Sequence, residues 1–287
     1  MTDDNRMQAL LRDRARDAVR PDGLPYRSLS SDAAISTARS AGATLRQVEM
    51  AALRDDIIPE RYSRNRDGLT RRDQLRLLES TVAIVGLGGL GGTVADILAR
   101  AGIGRLILID GDLFEESNLN RQLNCTVATI DSGKACAAAE RIAAVNPGTE
   151  TTVHSAFITS ANAAALIAGA DAVADCLDSL PARFVLEQAA HTLKIPMVTA
   201  AVAGAAGQVS LLQKGGPGLR TIYGDPANAP DKGVETVTGN LPFTVTAVAA
   251  IEAAEIIKTL LGRSSLAGRL LILDLDEMLF DVIDLSL

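Results

Sequence analysis

The chain has 287 residues, which leaves room for about two domains at roughly 150 residues each, or for one α/β domain with an appendage. Apolar residues make up 47% and aromatics 3%, with no Trp, so the core must be built from Ala, Val, Ile and Leu, as in helices packed closely on a buried parallel sheet. The net charge of −7 speaks against duplex nucleic acid or an anionic membrane as the main partner.

Residues 1–60 read as a helical extension, rich in Arg and Asp and without a strand pattern. Helices are expected over 7–20, broken by Pro21, Gly23 and Pro25, over 31–42, ending at Gly42, and over 44–56 behind a Thr cap, with Pro59 closing the segment. From residue 61 the period changes. Buried strands are predicted at 81–86 and 105–110, with a helix between them at 90–102. An Ala-rich helix over 132–147 stops at Asn146-Pro147. A strand at 151–157, a helix at 161–169, a strand at 171–177 and a helix at 181–194 follow. Further strands lie at 196–201 and 207–212. The Gly/Pro/Asp-rich stretch 213–240 is too long for a plain connection and is a candidate functional segment. A helix over 243–261 and two strands around a tight turn in 270–285 complete the chain. This alternation predicts a doubly wound, Rossmann-like, mostly parallel sheet with antiparallel C-terminal strands, spanning 61–287.

Between the strand at 81–86 and the helix at 90–102, Gly86, Gly88, Gly89 and Gly91 match G-x-G-x-x-G. Glycine permits the tight turn and lets backbone approach phosphate, and the helix N-terminus offers N–H groups to an anion. Asp110 ends the next strand, where a carboxylate accepts hydrogen bonds from ribose hydroxyls. Turn and acid predict nucleotide binding but leave dinucleotide and ATP both open. The residues beyond them separate the two. Asp112, Asn118, Arg121, Gln122 and Lys134 follow the second strand, and Asp178 and Arg183 follow the strand at 171–177. Two cations and several carboxylates around a phosphate-binding turn suit phosphoryl or nucleotidyl transfer.

Read together, RYSRN (61–65), GLGGLGG (86–92), LIDGDLFEESNLNRQ (108–122), GK (133–134), VNP (145–147), DCLDSLPAR (175–183) and GQV (207–209) resemble the ThiF/MoeB/HesA family over roughly 60–287. The resemblance implies ATP-dependent adenylation of the C-terminal glycine carboxylate of a ubiquitin-like sulfur-carrier protein ending in Gly-Gly, with release of pyrophosphate. It places Gly86, Gly88, Gly89 and Gly91 at the phosphates and Asp110 at the ribose. Asp112, Asn118, Gln122, Arg121 and Lys134 fall around the triphosphate, and Asp178 beside Mg²⁺. Arg64 fits the arginine that reaches the neighbouring active site of a homodimer. The pathways implied are sulfur transfer for thiamine, molybdopterin or tungstopterin, or cysteine biosynthesis. The competing readings are an NAD(P)-dependent oxidoreductase on the same turn, a non-catalytic dimer scaffold, and adenylation of a peptide or small acid.

The three cysteines, Cys125, Cys136 and Cys176, contain no C-x-x-C pair, and 213–287 contains no Cys. Members that hold structural Zn²⁺ or a reactive Cys in the long loop therefore differ from this chain. Cys136 and Cys176 are expected to be small buried residues, and Cys125 the one cysteine exposed near the site. The charged N-terminus carries no signal-peptide pattern, no apolar run reaches roughly 18 residues, and no sulfurtransferase segment follows, so a cytoplasmic protein that stops at the acyl-adenylate is expected.

Overall fold

The computed structural model describes residues 3–65, 68–228 and 235–285. The N-terminal extension holds α1 (Asp3–Arg14), β1 (Arg16–Val19), β2 (Pro25–Leu29), α2 (Ser31–Ala41), α3 (Leu45–Arg54) and β3 (Ile57–Pro59). The expectation of helices alone is corrected here. Pro21 and Gly23 do not merely stop a helix; they build a hairpin. Asp22 accepts a hydrogen bond from the Leu24 N–H at 3.1 Å, Gly23 takes φ 83°, and 16–19 folds back antiparallel on 25–28. Gly42 ends α2 in the left-handed region and Thr44 caps α3, as read, with Gln47 completing a capping box; the cap of α2 is Ser30, one residue before the expected start. Leu11, Leu29, Ala34, Ala38, Val48, Ala52 and Ile57 form a small core of their own.

The remainder contains α4 (Arg71–Glu79), a helix that the sequence patterning did not reveal, followed by β4 (Thr81–Val85), α5 (Gly89–Ala101) and β5 (Arg105–Ile109). Then come α6 (Lys134–Val145), β6 (Glu150–His154), the short α7 (Ala163–Leu166), β7 (Ala172–Asp175), α8 (Leu180–Leu193), β8 (Met197–Ala203) and β9 (Ala206–Leu212). The stretch 213–240 carries the short helices α9 (Leu219–Tyr223) and α10 (Glu235–Thr238); its residues 229–234 lie outside the described ones. Helix α11 (Pro242–Leu260) and the hairpin β10 (Arg269–Asp274) and β11 (Leu279–Asp284) follow. One eight-stranded sheet runs β11-β10-β9-β8-β7-β4-β5-β6. Strands β8, β7, β4, β5 and β6 are parallel, and β9, β10 and β11 join antiparallel. The predicted architecture is therefore the observed one.

Strand side chains alternate between two cores. Val82, Ile84, Leu106, Leu108, Ala172 and Ala174 face α5, α6 and α11. Ala83, Val85, Ile107, Ile109 and Val173 face α7 and α8. The chain reverses direction across the sheet between β4 and β7, so the crevice beyond their C-terminal ends is where an open α/β sheet binds ligands.

A buried polar network fixes the extension to this sheet. The Tyr62 hydroxyl donates to Glu49 at 3.0 Å, and Arg61 pairs with the same carboxylate at 3.2 Å. Asn146, the residue expected to stop α6, donates from Nδ2 to Tyr62 Oη at 2.9 Å and to the Ala99 carbonyl at 2.8 Å. Its Oδ1 accepts from the Gly148 N–H at 3.1 Å and from Arg61. Asn146→Ala strands these groups in a dry interior and should cost about 2–4 kcal/mol in urea unfolding. A loss below about 0.5 kcal/mol would show that the network does not hold the two parts together.

Candidate active site

The glycine-rich turn is shaped by two close approaches. Gly86 adopts φ 86°, and a Cβ there would sit 2.7 Å from the Cys176 carbonyl oxygen. A Cβ on Gly91 would fall 1.8 Å from the Gly86 carbonyl oxygen, so the first turn of α5 can press on the loop only without a side chain. Gly88 is the N-cap of α5 and contributes no side-chain bond. The first-turn N–H groups lack intrahelical acceptors and carry the positive end of the helix dipole. Gly86, Gly88, Gly89 and Leu90 line a cavity of about 780 Å³ at the switch point, while Gly91 packs beneath it.

Asp110 ties this turn to β5. One carboxylate oxygen accepts from the Leu87 N–H at 2.6 Å and the other from the Asp112 N–H at 2.7 Å. Burial raises its pKa above the ordinary carboxylate value, against the two amide bonds and the nearby Lys134 charge. Lys134, almost buried at the start of α6, places its ammonium 3.0 Å from Asp112. Arg121 enters the cavity wall with its Nη1 bonded to the Ser117 carbonyl at 3.2 Å and to Asn120 Oδ1 at 2.8 Å. Gln122 is 7% exposed and lines the cavity beside Gly88, with its Oε1 unpartnered among the described residues.

Asp178 lies just past β7, exposed on the same wall. The cavity-lining carboxylates among the described residues are Asp110, Asp112 and Asp178. The first is held by amides and the second by a cation; Asp178 alone has no partner. Asn118 is not in the wall: its Oδ1 accepts from the Glu115 N–H at 3.1 Å and closes its own turn. Arg64 is also outside the cavity, exposed and without an ion pair among the described residues. Arg183 is a buried anchor. It donates to Asp175 and Thr199 at 3.0 Å each and to the carbonyls of Ala200, at 2.7 Å, and Leu177.

Cys125 and Cys136 lie in settings other than the ones expected. Cys125 is buried against Phe114 and Ala137. Cys136 is exposed, because helical phase points Ala135 and Ala138 inward and leaves 136 outside. Cys176, not Cys125, lines the cavity, and its thiol donates to the buried Glu252 at 3.4 Å. Burial raises the Cys176 pKa well above the usual thiol range, which makes it a poor nucleophile. Sequence reading also missed Phe157 and Tyr223, which line the cavity. Single aromatics in a loop carry no periodic signal. Gln208, another wall residue, was visible only as part of GQV.

The model of the ThiF family matches residues 62–287, and the chain belongs to that family. The SAMP-activating enzyme E1 of Haloferax volcanii is 35% identical over 230 residues, covering 78% of this chain and 84% of the relative. The adenylyltransferase and sulfurtransferase MOCS3 of Drosophila yakuba is 39% identical over 246 residues, covering 82% of this chain and 52% of its own length. The chain thus spans about half of the MOCS3 protein it matches. The crystal structure of E. coli MccB with ATP has a TM-score of 0.68 at 20% identity, covers 88% of this chain and 82% of that one, and shares the fold.

Glu252, fully buried on α11, has one oxygen without a partner among the described residues. Burial, with the neighbouring Asp175 charge, raises its pKa well above the usual carboxylate range, against Cys176 and Arg183. The protonated form is therefore the one the fold favours. Its contribution is intact below the unfolded value of about 4.3 and is lost as pH rises through the folded pKa. Glu252→Gln should accordingly gain stability relative to wild type as pH rises from 5 to 9, read from urea midpoints. Parallel curves would contradict a neutral Glu252.

Proposed function

We propose that this chain adenylates the C-terminal glycine carboxylate of a ubiquitin-like sulfur-carrier protein with ATP and releases pyrophosphate. The observation that carries the proposal is the division of labour among three cavity carboxylates: Asp110 on the turn, Asp112 on Lys134, and Asp178 unpaired. A dehydrogenase on the same turn has no use for Lys134, Arg121 and an open acid converging on one cavity. The names of the SAMP-activating enzyme E1 and MOCS3 relatives support adenylation and the carrier substrate. The pathway is sulfur transfer for thiamine, molybdopterin or tungstopterin, or cysteine biosynthesis. Residues 61–287 are the adenylation domain, 1–60 an extension, and the site of action is the cytoplasm.

The N–H groups of Gly88 and Gly89 and the α5 dipole receive the phosphates. Gln122 adds its buried carboxamide there. Asp110 takes the ribose hydroxyls on its remaining lone pairs. The carboxylate of the carrier attacks the α-phosphorus; the bond to the bridging oxygen breaks, and pyrophosphate departs with that electron pair. Lys134 and Arg121 offset the charge that builds on the leaving group, a preorganised electrostatic contribution. Asp178 fits Mg²⁺, which typically takes one or two carboxylates together with phosphate oxygens and water; bound there, it would neutralise phosphate charge. Arg64, solvent-exposed and outside its own cavity, serves the site of a second copy in a homodimer.

Asp178→Ala should lower carrier-dependent ATP–pyrophosphate exchange by two or more orders of magnitude while the thermal midpoint is kept, a loss on the scale of removing one transition-state electrostatic group. Near-wild-type exchange would remove Asp178 from the reaction. Mixing Arg64→Ala and Asp178→Ala subunits should restore part of the activity, since a mixed dimer regains one complete site. Activity no greater than the sum of the separate variants would place Arg64 outside the partner's site.

A further inference from the structure

The cavity extends to both sides of the switch point. Toward β5 and β6 lie Asp110, Lys134 and Phe157, the side that the nucleotide reading uses. Toward β8, β9 and β10 the wall is of another kind. Register brings Ala201, Gln208 and Ile272 side by side across three strands, and all three line the cavity. Two residues further along the hairpin, Ala203 pairs with Ala206, and both line it too. Along its strands this floor is apolar except at one point. Gln208 is the polar side chain on these strands, Asn240 lies beside Gly204 at the end of the hairpin, and the Gln208 Nε2 donates to the hydroxyl of Tyr223 on α9. Helix α9 belongs to the stretch 213–240, and Leu219, fully buried, anchors it on the α8 side of the sheet. The Gln208–Tyr223 bond therefore spans from the sheet to the segment that crosses it.

A glutamine carboxamide has two N–H donors and an acceptor oxygen with two lone pairs. Tyr223 takes one N–H; the other N–H and the Oε1 have no partner among the described residues. A floor of mostly small strand side chains, with two-way polar groups at Gln208 and, at the hairpin end, Asn240, matches one kind of ligand: an extended peptide segment with little side chain, whose backbone N–H and C=O need partners when it leaves water.

Resting on the adenylation reading, we infer that Gln208, held by Tyr223, is the substrate-binding residue that reads the backbone of the carrier's tail. It accepts from and donates to the peptide unit before the reacting glycine. Its role is to hold the terminal carboxylate at the phosphate end of the cavity. It acts on the carrier and not on the nucleotide. Tyr223 is the positioning residue, since it fixes the carboxamide rotamer through the bond from Nε2.

The test is steady-state ATP–pyrophosphate exchange with the small ubiquitin-like carrier encoded in the same genome. Two semisynthetic forms are used, one ending in ordinary Gly-Gly and one with N-methylglycine as its last residue, which removes the N–H of that peptide unit. Gln208→Ala should raise the KM for the ordinary carrier about tenfold, the scale of one buried hydrogen bond, and leave the KM for ATP unchanged. N-methylation should weaken the carrier for wild type by a similar factor and have little further effect in Gln208→Ala, the coupling that marks a direct contact. Tyr223→Phe retains the ring and should give a smaller rise in carrier KM. Additive penalties, an unchanged carrier KM, or a fall in thermal midpoint with both KM values rising would each overturn the assignment while leaving adenylation standing. Absence of any carrier-dependent exchange by the wild-type chain would instead overturn the adenylation reading, and the tail site with it.

Discussion

The carboxylate of Asp110 organises the site. It sits at the end of β5 and binds two backbone N–H groups, one from the glycine turn at Leu87 and one from its own strand end at Asp112. With this double contact the turn after β4 has one position relative to β5. Because Gly91 carries no side chain, α5 then closes on that turn and aims its N-terminus at the crevice. The Asp112 backbone, set by the same contact, also accepts the Lys134 N–H at 3.0 Å, so the first residue of α6 is brought to the cavity. The N–H groups of the turn, a cation and an acid thus derive their relative placement from one half-buried carboxylate. The cost of burying it is visible in its raised pKa.

Much of this was legible because parallel strands buried on both faces read as continuous apolar runs. TVAIV and RLILI became β4 and β5 with little change in their bounds. The glycine turn and Asp110 were legible for the same reason, since each sits where such a run ends. Other features depended on contacts that no local pattern encodes. RDAV (16–19) is half charged and carries no apolar alternation, so it pairs only because the turn at Asp22–Gly23 returns the chain to it. Asn118 shares a motif with Arg121 and Gln122, yet its carboxamide closes its own turn while their side chains line the cavity. The reactive possibilities of the cysteines were likewise set by packing: Cys125 is covered by Phe114, and the Cys176 thiol donates a hydrogen bond to a buried acid.

The two sides of the cavity differ in chemistry as well as in position. The β5–β6 side is built from charge, an aromatic ring and helix termini. The β8–β10 side is built from alanines, Val202, Ile272, the carboxamides of Gln208 and Asn240, and Tyr223 of α9. Asp178, on the strand between them, stands where ligands from both sides would meet. The extension does not line this cavity. It is joined instead at the opposite edge of the nucleotide fold, through the buried Glu49, Tyr62 and Asn146, to the helix ends that precede β5 and β6.

The central claim is that a carrier carboxylate is activated as its acyl-adenylate in this cavity. An isotope-transfer measurement tests it directly. The carrier is prepared with ¹⁸O in its C-terminal carboxylate, incubated with ATP and the chain, and the acyl group is trapped with hydroxylamine. Attack of the labelled carboxylate on the α-phosphorus, followed by release at the acyl carbon, leaves one carboxylate oxygen on the nucleotide. The account predicts ¹⁸O in AMP. Unlabelled AMP, or release of ADP in its place, would contradict it.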